Sequence, residues 1–248
     1  MQDALVRVTA QLERGMAAAG EAREAGGWRV FLPEGHPYYR RCALPLQPAG
    51  RSGAGVQDLR RLAGELGLAP RVELVRELWP ELPAMLAAHG FMVETEAAIL
   101  VAQAAPAGLG GAVPVGETAD ARLQRRFLAA TARAFGEAPP SEAELAIFSA
   151  CLRGRSIRAA TWIEAGGPVS GAALLRTGPD AELAGVWTET GWRRRGLAAR
   201  VGTTLLDLFF ASGGAFVWLA AAQEQTRLYE ALGFRRAGTL LRLVPGSS

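Results

Sequence analysis

The first half of the chain alternates between helical and extended hydrophobic patterns. Apolar residues recur every three or four positions near the N-terminus, which predicts a helix over residues 3–24. The positions that carry this spacing are Leu5, Val8, Leu12 and Met16. Shorter apolar segments follow, separated by turns rich in glycine and proline. They predict strands at 28–33, 42–46 and 71–75, helices at 56–67 and 80–90, and a hairpin or strand pair at 91–102.

The second half begins with a new helical pattern at residues 118–136, in which Leu123, Phe127 and Phe135 lie near one face. Ser141 and Glu144 form a capping box that predicts the start of a second helix. Three strand-like runs joined by glycine-containing turns then predict an antiparallel meander. These runs are 157–165, 167–177 and 181–189, and they are followed by a helix at about 194–210, a strand at 215–221, a helix at 224–233 and a strand at 240–244.

The order of elements repeats along the chain. Gly53 precedes a helix in the first half and corresponds to Gly196, 143 positions later; the pair Gly90–Phe91 corresponds to Gly233–Phe234 at the same offset. Two copies of one fold unit follow from this pattern, with the first copy eroded. The small, uncharged residues 104–113 are the best linker candidate. We therefore predict a degenerate N-terminal domain at 1–103, a linker at 104–113 and a second domain at 114–248.

Composition narrows the classes of function. Half of the 248 residues are hydrophobic, and the net charge is only +3, carried by arginine because the chain has no lysine. These arginines do not cluster as a nucleic-acid footprint does. The two cysteines and two histidines show no metal-ligand spacing and no hydrolase motif, so a zinc site or a Ser/His or Cys/His hydrolase is disfavoured. The charged N-terminus resembles neither a signal peptide nor a membrane span, and a cytoplasmic location is expected.

The segment "WTETGWRRRGLAA" at 187–199 carries the most specific chemistry. The first turn of a helix offers free backbone N–H groups and a partial positive charge, both of which suit a phosphate group. Gly196 and Ala198 are small enough to let an anion approach closely, and three arginines precede them. From these residues alone, a solvated basic turn and a phosphate-binding turn are equally good interpretations.

Two motifs favour the phosphate-binding turn over the solvated basic turn. Arg193-Arg194-Arg195-Gly196-Leu197-Ala198 fits Gln/Arg-x-x-Gly-x-Gly/Ala, and "LYEALGF" at 228–234 fits Leu-Tyr-x-x-x-Gly-Phe. Together they resemble the GNAT superfamily of acyl-CoA-dependent N-acyltransferases, over roughly residues 115–248. The resemblance implies an α/β (α+β) fold made of two GNAT-like acyl-CoA N-acyltransferase units, each a mixed, largely antiparallel twisted sheet flanked by helices.

The resemblance also implies a site in a V-shaped opening between the parallel strands that end near Thr188 and Ala220. Backbone groups of the first strand pair with the pantetheine arm and polarise the thioester carbonyl, the next helix N-terminus holds the pyrophosphate, and Tyr229 protonates the departing thiolate. The residues it assigns to acetyl-CoA are Val186, Trp187, Thr188, Arg193, Arg194, Arg195, Gly196, Leu197, Ala198 and Ala199.

The general base is less well defined by the motifs. Glu182 stands on the motif strand where family members often place a carboxylate, and we assign it the catalytic role beside Tyr229. Glu189, Glu224 and direct loss of the proton to water are alternatives. Many family members have asparagine where this chain has Ala222, so one cofactor contact is missing, and an ordered water or Gln223 is expected to replace it.

The first half resembles the degenerate copy of tandem GNAT proteins. Leu86 occupies the position that matches Tyr229, and leucine cannot protonate a thiolate. Gly50 stands at the position of Arg193 with Arg51 adjacent, and "RSGAG" is more typical of a flexible loop than of an anion site. This half is expected to shape the acceptor cleft or an interface.

The resemblance implies an N-acetyltransferase that moves an acetyl group from acetyl-CoA to an amine by direct attack in a ternary complex. The acceptor is expected to be a small-molecule or peptide amine, and no motif in the sequence indicates which one. No metal, nucleic-acid or membrane partner is expected, and a homodimer is possible. The alternative is a catalytically weak module of the same fold that binds acyl-CoA.

Overall fold

The fold is known from a computed structural model that describes residues 2–33, 36, 38, 41–46, 53–106, 108, 110–116 and 121–246. The helices are α1 (Gln2–Ala19), α2 (Gly53–Glu65), α3 (Leu82–Ala88), α4 (Ala121–Ala134), α5 (Glu142–Arg153), α6 (Leu197–Ala211) and α7 (Thr226–Glu230). The strands are β1 (Gly20–Ala25), β2 (Trp28–Pro33), β3 (Cys42–Pro45), β4 (Val72–Val75), β5 (Phe91–Ala102), β6 (Val113–Val115), β7 (Ile157–Glu164), β8 (Gly167–Thr177), β9 (Asp180–Thr188), β10 (Phe216–Ala221) and β11 (Arg235–Pro245).

The described strands form one mixed sheet in the order β1-β2-β3-β4-β11-β5-β10-β9-β8-β7-β6. The predicted antiparallel meander is confirmed as β7-β8-β9. Within the sheet, β4 and β10 occupy equivalent places, since each is parallel to the strand that precedes it, β3 and β9 respectively. The sheets of the two units are therefore joined edge to edge into a single eleven-stranded sheet.

The join is made by an exchange of the last strand of each half. β11 of the second half pairs with β4 of the first, and β5 of the first half pairs with β10 of the second. β5 and β11 also pair with each other along most of their length. Each half therefore completes the sheet of the other, and the site region at β10 has a first-half strand as its neighbour.

The 143-residue repeat appears in the structure as matched elements. α2, β4, α3 and β5 of the first half recur in the same order as α6, β10, α7 and β11 of the second. One face of the sheet is covered by α1, α4 and α5, which share a large apolar cluster. The opposite face is covered by α2 and α3 in one cluster and by α6 and α7 in another.

Helix α1 belongs to the first half but packs on strands of the second. Its fully buried Gln11 donates through Nε2 to the Leu175 carbonyl (3.0 Å) and accepts through Oε1 from Trp218 Nε1 (2.8 Å). Arg7 Nε donates to the Asp180 carboxylate at 2.8 Å. Because buried polar groups must be satisfied within the protein, these bonds hold β9 and β10 together at their first residues.

Several predicted boundaries were wrong. The helix expected over 3–24 ends at Ala19, because residues 20–25 pair with β2 as a strand. Residues 91–102 are one long strand rather than a hairpin, since tertiary pairing with β10 and β11 keeps them extended. α6 begins at Leu197 rather than near Arg194, whose backbone is left-handed. Phe135 follows the last residue of α4 and is 52% exposed.

Other expectations hold in part or lie outside the described residues. The capping box at Ser141 and Glu144 is confirmed at the start of α5. Gly50 and Arg51 lie outside the described residues, as does part of the 104–113 linker, and the domain boundaries stay predictions. Across the described ranges, no helix is both long and apolar enough to cross a membrane.

Candidate active site

An opening lies between the outer ends of β9 and β10. The two parallel strands pair only at their first residues, ending with Glu182 beside Trp218. Beyond that pair, the register of β9 against β8 slips between Ala184 and Trp187, where Gly185 has a φ of +57°. A bulge of this kind bends the strand and increases its twist. The edge of β9 that faces β10 is therefore left without a strand partner from Leu183 to Thr188.

The turn after β9 leads into the N-terminus of α6. Gly196 is the N-cap residue with a φ of +74°, and no side chain caps the helix. The Arg200 N–H donates to the Gly196 carbonyl at 3.1 Å, which closes the first turn of the helix. The N–H groups of Leu197, Ala198 and Ala199 consequently have no backbone acceptor among the described residues, as expected for a first helical turn. These groups and the helix dipole form an anion-binding feature at the mouth of the opening.

Three exposed arginines surround this turn. Arg193 Nε donates to the Thr188 carbonyl at 3.1 Å, so its guanidinium lies next to the end of β9. The Arg195 guanidinium lies 4.6 Å from the centre of the Trp192 ring and donates to the Gly191 carbonyl. Arg194 takes the left-handed conformation that carries the chain around the turn. The arginines add positive charge beside the free N–H groups.

A cavity of about 500 Å³ joins these elements. It is bounded by the end of α4, the outer end of β9, the first turn of α6 and α7. Its lining residues are Ala134, Phe135, Val186, Trp187, Thr188, Arg193, Ala198, Glu224, Gln225, Leu228 and Tyr229. Arg194, Arg195, Gly196, Leu197 and Ala199 form the adjacent turn, so the structure brings the ten residues assigned to acetyl-CoA into one region.

Tyr229 closes the cavity from the side of α7. Its side chain is buried and packs edge to face against Phe234, with ring centroids 6.1 Å apart. Burial raises the pKa of its hydroxyl to about 12, so the phenol keeps its proton at neutral pH. A protonated phenol on this cavity wall can donate a proton to a leaving group.

Glu182 lies deeper, at the base of the opening, and does not line the 500 Å³ cavity. Burial raises the pKa of its carboxyl to about 7, the nearby Glu73 carboxylate raises it further and Arg242 opposes the shift. No hydrogen bond or ion pair joins Glu182 to another of the described residues. Of the alternatives, Glu189 is paired with Arg133, and Glu224 is exposed on the cavity wall. The raised pKa of the Glu182 carboxyl suits proton transfer near neutral pH.

The outer end of β9 is fixed by contacts that the sequence analysis missed. Ser170 Oγ lies 2.8 Å from the Trp187 carbonyl and 2.9 Å from Thr188 Oγ1. The Trp187 ring turns towards α4 and donates through Nε1 to Thr131 Oγ1 at 2.9 Å. These polar side chains sit in apolar runs and carry no motif, so nothing local in the sequence indicated them.

The side-chain contact expected from Gln223 is not at the cavity. Gln223 Oε1 accepts from Arg236 Nη1 at 3.1 Å, whereas Gln225 lines the cavity. Gln223 precedes α7 in a 3-10 turn that points its amide towards β11. Gln225 is thus the amide side chain available near the missing asparagine position.

Residues 125–234 match the model of the "Acetyltransferase (GNAT) family". The chain carries a GNAT acetyltransferase domain. No curated protein sequence matches the chain. Members of the GNAT family are acyltransferases. The cavity at the opening between β9 and β10 lies within the matched segment and the residues next to it.

Solved structures extend the fold similarity to the whole chain. A GCN5-related N-acetyltransferase from Kribbella flavida is 21% identical, with a TM-score of 0.76 over 98% of this chain and 96% of its own. A GCN5-related N-acetyltransferase from Sphaerobacter thermophilus is 17% identical, with a TM-score of 0.66 over 90% and 78%. A tandem GNAT protein from the clavulanic acid biosynthesis pathway is 17% identical, with a TM-score of 0.57 over 91% and 81%. The two-unit GNAT arrangement is therefore shared with known folds.

The first GNAT-like unit lacks the chemistry of the second. Leu86, which stands at the repeat position of Tyr229, is fully buried in the cluster under α3. Trp79 stands at the repeat position of Ala222 and is buried in the same cluster. Bulky apolar side chains therefore occupy the positions where the GNAT domain has Ala222 and the Tyr229 phenol.

Proposed function

We propose that this protein is an N-acetyltransferase that transfers the acetyl group of acetyl-CoA to an amine in a ternary complex. One observation carries the proposal: β9 parts from β10 directly beside an uncapped helix N-terminus, and a buried phenol lies on the wall of the cavity between them. The GNAT domain match supports the same class of reaction.

The described residues fit an acyl-CoA donor. The Leu197, Ala198 and Ala199 amides would bind the pyrophosphate, with charge from Arg193, Arg194 and Arg195. A side chain at Gly196 would meet no atom within 4 Å, so glycine is required there by its φ rather than by crowding. The unpaired edge of β9 at Val186 and Thr188 would hydrogen-bond an extended pantetheine arm as a strand does.

Acetyl-CoA supplies an acetyl group on a thioester, and the chain supplies proton transfers and orientation. Backbone groups at Val186 and Trp187 would polarise the thioester carbonyl. Glu182 takes one proton from the acceptor ammonium, and Tyr229 gives its hydroxyl proton to the departing sulfur. The nitrogen loses its second proton once the C–N bond has formed; this proton restores the Tyr229 hydroxyl, and the proton on Glu182 passes to solvent. The C–N bond forms and the C–S bond breaks, which yields an amide and a free thiol.

The acceptor is proposed to be a small-molecule or peptide amine. A cytoplasmic location, a homodimer and the absence of metal, nucleic-acid and membrane partners stay predictions of the sequence. The alternative function is an acyl-CoA-binding module with little turnover. Ala222 favours it, because it removes one polar side chain from the donor site.

A thiol-release assay across a panel of primary amines, with acetyl-CoA as donor, tests the proposal. We expect amine-dependent release with at least one class of amine. Calorimetric binding of acetyl-CoA without turnover on any amine would instead support the module. Failure to bind acetyl-CoA would contradict both functions.

A further inference from the structure

Tyr38 of the first half lies against the bulge of β9. A Cβ atom added to Gly185 would come within 2.8 Å of Tyr38 Cε1. Gly185 also has a positive φ, which side chains rarely adopt. Two independent constraints therefore keep this position free of a side chain, and the ring of Tyr38 fills the space directly beside Gly185.

The hydroxyl of Tyr38 is buried and has no hydrogen-bond partner among the described residues. Burial raises the pKa of this phenol well above its usual value, so it stays neutral. A buried hydroxyl without a partner destabilises the folded state and is uncommon in native proteins. A bound molecule that supplies the missing hydrogen bond is one explanation of such a group.

Tyr38 lies on the same face of the sheet as Glu182. The ring packs in the apolar cluster that includes Trp218, Ala184 and Ala220 on β9 and β10. Side chains two residues apart on a strand share a face, so Glu182 points to the side of Ala184. Tyr229 packs in the cluster on the opposite face. The Tyr38 hydroxyl and the Glu182 carboxyl, neither of which has a hydrogen-bond partner in the described part of the chain, are thus on one side of the opening, and the Tyr229 phenol on the cavity wall is on the other.

We propose that Tyr38 binds the acceptor amine, a role that rests on the proposed function. The Tyr38 hydroxyl oxygen accepts a hydrogen bond from the amine nitrogen, and the Glu182 carboxylate takes a proton from the same nitrogen. The nitrogen then approaches the thioester from the face opposite Tyr229. A primary ammonium has donors for both oxygens, and the apolar surface of the Tyr38 ring suits an aliphatic carbon next to the nitrogen. The acceptor is a primary aliphatic amine.

A Tyr38→Phe variant separates this role from a structural one. A hydrogen bond to a charged group that is lost on substitution raises the amine KM about tenfold or more. The KM for acetyl-CoA stays unchanged, since Tyr38 is not among the described residues that line the cavity beside the N-terminus of α6. The melting temperature stays equal or rises, because phenylalanine removes a buried hydroxyl that has no partner.

Ser149→Ala is the matched control. Ser149 Oγ donates to Gln124 Oε1 at 2.6 Å between α5 and α4, so this hydroxyl has a partner and lies away from the opening. Its removal lowers the melting temperature and leaves both KM values unchanged. If Tyr38→Phe keeps or raises the melting temperature while Ser149→Ala lowers it, the Tyr38 hydroxyl has no hydrogen-bond partner in the free protein.

Steady-state kinetics with a primary amine, its N-methyl and N,N-dimethyl derivatives and acetyl-CoA completes the test. We expect the primary amine to be preferred and Tyr38→Phe to weaken this preference. An unchanged amine KM in an active Tyr38→Phe variant, or a lower melting temperature with both KM values raised, overturns the role of Tyr38 alone. A wild-type protein that is inert on every amine overturns the proposed function and, with it, this role.

Discussion

Replacement of Glu182 by glutamine tests the electrostatics of the site most directly. Glutamine keeps the size of the side chain and cannot ionise. The carboxyl has its pKa raised from 4.5 to about 7, chiefly because burial disfavours its charged form. The difference corresponds to about 3 kcal/mol of interaction that disfavours the carboxylate in the folded state.

The sign of the pH dependence follows from proton binding. Between pH 4.5 and about 7, Glu182 is protonated to a greater extent in the folded protein than in the unfolded chain. The free energy of unfolding therefore decreases as the pH rises through this range and stays reduced above it. Glu182→Gln removes this loss, so it raises the free energy of unfolding by up to about 3 kcal/mol near pH 8 and has little effect below pH 4.5.

Glu182→Gln lowers turnover, although it raises the free energy of unfolding. As general base, Glu182 acts as a carboxylate, so kcat/KM in the wild type rises with pH through about 7. Loss of a general base lowers the rate by roughly 10²- to 10⁴-fold, and the rise near pH 7 attributed to this residue disappears. Urea unfolding at about pH 4 and pH 8, together with pH–rate profiles, measures both effects.

Glu224→Gln is the control, because Glu224 is an exposed carboxylate on the cavity wall. We expect it to change neither the stability nor the pH–rate profile by much. Refutation would come from a Glu182→Gln variant that retains the wild-type rate and profile, or from a stability gain equal at both pH values. The first outcome would favour direct proton loss to water, and the second would show that the pKa of the carboxyl is the same in the folded and unfolded states.

Three further predictions concern the donor site and the fold. Tyr229→Phe should lower kcat with little change in acetyl-CoA affinity by calorimetry, and an unchanged kcat would remove Tyr229 from the acid role. Gly196→Glu should abolish acetyl-CoA binding through backbone strain and charge repulsion. Its control is Gly213→Glu, at a left-handed glycine after the other end of α6, which should leave binding unchanged. Tight acetyl-CoA binding by Gly196→Glu would refute the anion-binding turn. The fragment 114–248 should show no cooperative thermal unfolding by circular dichroism unless 1–113 is supplied, because β11 would lose both of its neighbouring strands, β4 and β5. Cooperative unfolding of the fragment alone would contradict this expectation.

Local features were predicted well because neighbouring residues determine them. The Ser141–Glu144 capping box and the glycine turn at Gly196 depend on hydrogen bonds and dihedral angles within a few residues. The C-terminal end of the first helix and the single strand at 91–102 were missed, since strand pairing overrides local preference there.

The sequence by itself determined that the chain contains two related units and that one of them carries an anion-binding turn followed by a Tyr-x-x-x-Gly-Phe segment. Spacing along the chain is enough for these features, because a helix N-terminus binds anions wherever it is placed. Only the tertiary structure decided that the units exchange their last strands, that Tyr38 lies against Gly185, and that the Glu182 carboxyl is desolvated. Each of these depends on contacts between residues far apart in the chain, and burial, which sets the pKa of Glu182, exists only in the folded protein.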